Sequence, residues 1–184
     1  MFRIPVDESL DLVLLEPRHA PMLFALIDEN RPHLRRFLPW VDTTRTVNDS
    51  VMFIQGSLEQ FARGMSVNVA LYSQRQIVGV CGTHVIQWAH RRAELGYWLG
   101  SAWQGRGLMS RAVHALGTYC FASLGLNRLE LRAAVENKKS RAIAERLGFK
   151  YEGTTRQTEW LYDHYVDHAI YGILAAEWKA SIGR

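Results

Sequence analysis

Apolar and polar positions along this chain follow two periods, and the switches between them lay out the elements. Leu10-Asp11-Leu12-Val13-Leu14-Leu15 reads as a first strand, ended by Pro17. Ala20 to Ile27 then carry apolar residues at helical spacing, and a second short helix with His33, Leu34, Arg35, Arg36 and Phe37 lies between Pro32 and Pro39. Thr46 with Asp49 three residues on has the form of a helix N-cap and its acidic partner, and Val51, Ile54, Leu58 and Phe61 keep the helical period until Gly64. Val67, Val69 and Leu71 alternate as a strand. A Ser73-Gln74-Arg75-Gln76 turn leads to its partner, Ile77 to Ile86, so the two form a meander.

Strand alternation returns from Ala93 to Leu99, with Glu94, Gly96 and Trp98 on one face and Ala93, Leu95, Tyr97 and Leu99 on the other. A glycine-bearing turn follows, and a helix continues through Leu108, Ala112, Leu116 and Phe121 to end near Gly125. Arg128 to Val135 alternates as the next strand. Asn137 caps a helix over Ser140 to Arg146, which Gly148 terminates. Lys150 to Glu159 and Tyr165 to Leu174 read as a long hairpin turning near Asp163. With no repeat, low-complexity tract or linker, the order predicts one α/β domain over residues 1–184, built on a mixed, mostly antiparallel sheet.

Composition narrows the class. An apolar share of 48% and a charged share of 22% suit a folded globular chain of 184 residues with its own core. Cys81 and Cys120 lack metal or redox spacing, and no secretory segment is evident, so both are expected as buried free thiols of a cytoplasmic protein. No apolar run approaches the roughly 20 residues that cross a bilayer, so no membrane partner is expected. The net charge of +4 suits an anionic ligand but is too scattered for a dedicated nucleic-acid site. His164 and His168 stand four apart in a strand, where they are well separated, so no metal is expected.

The stretch with the densest chemistry is Gln104-Gly105-Arg106-Gly107-Leu108-Met109-Ser110. It gathers free backbone amides where a helix begins, and the N–H groups and dipole there favour an anion. Gly105 and Gly107 admit a ligand close to the main chain, and Arg106 adds a positive charge. A Walker loop needs Lys and Ser or Thr after its last glycine, and the chain offers Leu108 and Met109. A dinucleotide fingerprint should open the first unit of a parallel sheet, and this loop lies past mid-chain after hairpin-like strands.

The third candidate is an acyl-coenzyme A loop. Gln104 to Met109 resembles the Q/R-x-x-G-x-G/A signature of the GCN5-related N-acetyltransferases, with Met109 in place of the small last residue. Glu94-Leu95-Gly96-Tyr97-Trp98-Leu99, Asn137-Lys138-Lys139-Ser140 and Leu147-Gly148-Phe149 are similar to the RimJ/RimL-type branch, which acetylates N-terminal amines of ribosomal proteins. The resemblance covers nearly the whole chain. It implies acetyl-CoA as cosubstrate, lodged where the strand carrying Tyr97, Trp98 and Leu99 splays from its parallel neighbour. A backbone N–H near Leu99 would polarise the acetyl carbonyl, and Asn137 and Lys139 would join the glycine turn in holding the coenzyme. Arg36, Trp40 and Trp160, with Arg31 and Arg35, would border the acceptor. A homodimer fits relatives of this type.

Acetyl transfer to an amine needs a neutral nucleophile, a polarised carbonyl and a proton for the departing thiolate. Holding an α-amine neutral at pH 7 costs about 1 kcal/mol, against about 4–5 kcal/mol for a lysine. A carboxylate acting through water suffices for the former. The resemblance offers Glu159, within Gln157-Thr158-Glu159-Trp160, as base, Glu94 as the alternative, and Ser140 as the proton relay to the sulfur. The preferred acceptor is a protein N-terminus. A small amine such as a polyamine or an aminoglycoside is the alternative, a non-catalytic acetyl-CoA-responsive module is the rival from another class, and RNA binding through Arg31, Arg35, Arg36, Arg91 and Arg92 is a third reading.

Overall fold

The computed structural model describes residues 2–182, and among these eight strands form one sheet in the order β1-β2-β3-β4-β5-β6-β8-β7. The first half lays down β1 (Arg3–Asp7), β2 (Leu10–Leu14), helices α1 (Ala20–Glu29), α2 (Arg31–Leu34) and α3 (Val47–Ala62), then β3 (Asn68–Ser73) and β4 (Gln76–Thr83). The second half runs β5 (Arg92–Leu99), α4 (Leu108–Ala122), β6 (Arg128–Ala134), α5 (Lys138–Arg146), the hairpin β7 (Lys150–Leu161) and β8 (His164–Leu174), and α6 (Ala175–Ile182). Every neighbouring pair is antiparallel except β5 and β6, as a mixed, mostly antiparallel sheet requires.

Strand alternation gives the sheet two apolar faces, and each is covered by different helices. Leu108, Met109, Ala112, Val113, Leu116 and Cys120 form the buried stripe of α4, which packs on Leu95, Leu129 and Leu131. On the opposite face α1 sends Leu23, Leu26 and Ile27, and α3 sends Ile54, against Val13, Ala70 and Val80. The α3 cap is the one its sequence predicts: the Thr46 amide donates to Asp49 Oδ2 at 2.7 Å, and the Asp49 amide to Thr46 Oγ1 at 3.4 Å.

Several boundaries differ from the sequence reading. The strand β1 escaped it because Pro5 interrupts a short polar-flanked run, which an edge strand tolerates. Helix α6 also escaped it; Trp178, 2% exposed, anchors its start against Phe121 and Phe149. The second helix occupies Arg31–Leu34 rather than 33–37, since Pro32 suits a first turn that lacks carbonyl partners for its N–H groups. Strand β4 stops at Thr83, short of Ile86.

Beneath the middle of the sheet Leu116 is fully buried. Leu116→Ala is expected to lower unfolding free energy by about 3 kcal/mol, read as a shifted urea midpoint at unchanged slope. Met52→Ala, at a residue 61% exposed, is expected to change it by less than about 0.5 kcal/mol.

Candidate active site

The glycine turn is set by its backbone. Gly105 and Gly107 take φ of +75° and +71°, a region that costs other residues about 1–2 kcal/mol each, and Gly107 is the N-cap of α4. Among the described residues the first amide to close back is that of Arg111, onto the Gly107 carbonyl at 3.1 Å; the N–H groups of residues 105–110 have no main-chain partner. Leu108 and Met109 are 4% and 5% exposed because their side chains enter the core. Met109 therefore leaves its amide side clear despite its size.

A buried side chain fixes where that turn begins. Asn30, 7% exposed at the end of α1, donates from Nδ2 to the Leu26 carbonyl and accepts at Oδ1 from both the amide and the hydroxyl of Ser101, each at 2.8 Å. Gln104 reaches two further elements: its Oε1 accepts from Lys139 Nζ at 2.8 Å, and its Nε2 lies 2.8 Å from His33 Nε2. Arg106 lies over the Trp103 ring at 5.0 Å, and Arg146 donates to Ser110 Oγ at 2.7 Å. This end of the molecule concentrates positive charge around unpartnered amides.

Next to it the sheet opens. Strands β5 and β6 pair only from Arg92↔Arg128 to Leu95↔Leu131, after which β5 continues along β4 to Leu99 and β6 along β8 to Ala134. A cavity of about 710 Å³ occupies this parting, and Glu94, Tyr97, Trp98, Asn137, Ser140 and Glu159 all line it. Asn137 accepts from the Ser140 amide at 3.2 Å, which caps α5 and presents its first turn to the gap. Tyr97 Oη lies 3.0 Å from Ser140 Oγ and donates to the Ser140 carbonyl at 3.1 Å. Burial pushes the Tyr97 phenol far up, against a smaller opposing effect of the Ser140 hydrogen bond, so it stays a proton donor.

The two carboxylates have different surroundings. Glu94 Oε2 lies 3.1 Å from Arg132 Nε, so its charge is already paired across the parting strands. Glu159 Oε2 instead lies 3.1 Å from His168 Nε2, and both side chains line the cavity. A bulge between Thr155 and Glu159 makes this meeting: Gln157 takes φ of +49° and its amide bonds Asp167 Oδ1, so Glu159 comes opposite Val166 on the His168 face.

Of the expected acceptor residues, Trp40 lines the cavity, its ring 5.9 Å from that of Trp98. Arg31 donates to the Val41 and Thr44 carbonyls, and Arg35 pairs with Asp42 while lying 3.8 Å above the Tyr162 ring. Both are used in holding the loop that carries Trp40. Arg36, over the Phe37 ring, and Trp160, 53% exposed and edge-on to Tyr165, lie outside the cavity lining. Sequence reasoning missed His168 as a partner of Glu159, since a two-residue bulge leaves no hydrophobic signature. It also missed Ser50, 1% exposed on the cavity wall, whose hydroxyl has no hydrogen-bond partner among the described residues. Among those residues no group of His, Cys, Asp and Glu is placed to hold a metal, and no helix is long and apolar enough to cross a membrane.

Comparison with known proteins gives the family and the fold. The model of the family described as Acetyltransferase (GNAT) domain matches residues 9–150. The ribosomal-protein-serine acetyltransferase of Escherichia coli (strain K12) is 32% identical over 168 residues, covering 91% of this chain and 94% of that one. A solved structure of RimL, a ribosomal L7/L12 alpha-N-protein acetyltransferase in complex with coenzyme A, superposes with a TM-score of 0.91 at 29% identity over 94% of this chain and 98% of that one. The microcin C7 self-immunity acetyltransferase MccE, solved with acetyl-CoA and AMP, gives 0.88 at 29% identity over 92% and 94%.

Asn30→Ala removes the acceptor for two donors of Ser101. It is expected to cost about 1–3 kcal/mol of stability, measured by urea unfolding, and to speed amide hydrogen exchange at Ser101 before other loops respond.

Proposed function

We propose, from the premise that this chain belongs to the Acetyltransferase (GNAT) domain family, that it moves the acetyl group of acetyl-CoA onto the N-terminal α-amine of a ribosomal protein by direct attack in a ternary complex. The observation that carries the reading is a single cavity, at the parting of β5 and β6, that holds Glu159, Ser140 and Tyr97 together, while Lys139, next to Ser140, bonds Gln104 at the start of the turn whose 105–110 amides lack main-chain partners. Those amides, with Arg106 and Lys139 nearby, fit a diphosphate. The coenzyme supplies an acyl thioester, whose carbonyl carbon is the electrophile.

The protein's residues then divide the work. Glu159 takes the proton of the α-ammonium, directly or through one water, and His168 holds the carboxylate toward the cavity. The amine nitrogen bonds the acetyl carbon, the carbon–sulfur bond breaks, and Ser140 relays the proton that the nitrogen sheds to the departing thiolate while Tyr97 fixes the serine. Glu94, claimed by Arg132, keeps the splayed strand in register. Trp40 and Trp98 wall the acceptor's first residues, and the Ser50 hydroxyl is left to meet a polar atom there. The acceptor places this reaction in the cytoplasm.

Incubation with acetyl-CoA and a ribosomal-protein mixture is expected to add one acetyl group to an N-terminus, located by peptide mass spectrometry. Acetylation confined to polyamines or aminoglycosides would replace the acceptor, and coenzyme binding without turnover on any amine would replace catalysis by sensing.

Glu159→Gln is expected to lower kcat by about 10²-fold or more with coenzyme affinity unchanged. Glu94→Gln is expected to affect stability more than kcat. The reverse ranking in steady-state assays would transfer the base to Glu94.

A further inference from the structure

Beside the glycine turn, three side chains from three elements form a continuous run of hydrogen bonds. Lys139 on α5 donates to Gln104 Oε1, and Gln104 Nε2 lies against His33 Nε2 on α2, both at 2.8 Å. An ammonium has only hydrogens to offer, so the amide end facing Lys139 is the oxygen and the end facing His33 is the NH2. That NH2 also presents only hydrogens. His33 Nε2 is therefore the acceptor and carries no proton, which puts the ring proton on Nδ1. The Leu99 main-chain carbonyl acts on the ring as a hydrogen-bond acceptor. His33 thus ties α2 to Gln104, where the glycine turn begins.

A protonated ring has no satisfied place in this arrangement. With N–H at both ring nitrogens, Nε2 meets the Gln104 NH2 donor to donor. Turning the amide over moves the same conflict to Lys139. We propose that neutral His33, in its Nδ1–H tautomer, is a positioning residue of the coenzyme cradle, and that coenzyme A binding weakens as the ring gains a proton. The inference rests on the proposed function, since it assigns the turn to the coenzyme.

The groups around His33 favour the neutral form. Burial contributes most, and the positive charges of Lys139 from α5 and Arg36 from the turn after α2 add to it, holding the ring below the ordinary histidine value of 6.5 while the Leu99 carbonyl works the other way. With the folded pKa lowered, the closed arrangement is intact at neutral pH and is lost as pH falls through the ring's own pKa. The direction is informative. A histidine acting only as a surface charge would bind the anionic coenzyme more tightly on protonation, the opposite sign.

The test is calorimetric titration of coenzyme A into the full chain, His33→Gln and His33→Ala, between about pH 7.5 and about pH 5. The side-chain carbonyl that His33→Gln introduces would accept from Gln104 and does not titrate, so this variant also reports the coenzyme's own protonation. Wild type is expected to lose about tenfold more affinity than His33→Gln over this range, the worth of one hydrogen bond. His33→Ala is expected to bind about tenfold more weakly at the upper pH, with no excess slope. Imidazole 15N shifts of the free protein are expected to report the Nδ1–H tautomer at His33. Parallel curves for wild type and His33→Gln, a relative gain of affinity on acidification, or an Nε2–H tautomer would each overturn the inference while leaving the cradle. Wild-type protein that binds no coenzyme at any pH would overturn the cradle, and the inference with it.

Discussion

The structure turns on an interruption: a parallel pair of strands that stops pairing while both strands continue. β5 and β6 share a ladder over four residues each, ending at Leu95 and Leu131, and then part. Main-chain groups facing each other across a gap within a sheet are costly unless something pairs with them. The gap persists because each strand is secured from its outer side, β5 by β4 as far as Leu99 and β6 by β8 as far as Ala134. Below, α4 spans both strands through Leu116 and its neighbours, so the two halves of the sheet cannot drift apart.

This parting explains why chemistry from distant parts of the chain converges. The end of β5 delivers Tyr97 and Trp98 to the gap and leads into the glycine turn, while β6 leads to Asn137 and the first turn of α5. Charge is segregated to match. Lys139, Arg106 and Arg146 gather at the α4 terminus, whereas Glu159 and Glu94 lie further along the cavity, among His168, His84 and Arg132. A phosphorylated carrier and an amine cation would therefore be drawn toward different ends of one opening. The loop carrying Trp40 is held by Arg31 and Arg35, so these positive side chains act through structure before they act through charge.

Much of this was legible in the residues. The α3 cap, the alternation that places Glu94 and Trp98 together, and Asn137 as the cap of α5 all follow from local rules that the fold leaves intact. The glycine turn was legible because positive φ at residues 105 and 107 favours glycine. What escaped depended on contacts between residues far apart in sequence. The bond between Asn30 and Ser101 spans 71 positions and leaves no periodic trace. The bulge that turns Glu159 toward His168 is set by pairing across the hairpin. The resemblance supplied Glu159 as a candidate, but its partner came only with the register.

In the proposed reading the free amides of residues 105–110 grip a diphosphate and so aim a thioester into the gap between β5 and β6. Backbone amide resonances of 15N-labelled protein, followed during titration with coenzyme A, test it most directly. The amides of residues 105–110 are expected to move downfield and saturate together, with Tyr97 and Ser140 shifting at the same ligand concentration. Saturable binding that leaves the 105–110 amides in place while resonances elsewhere move would contradict it.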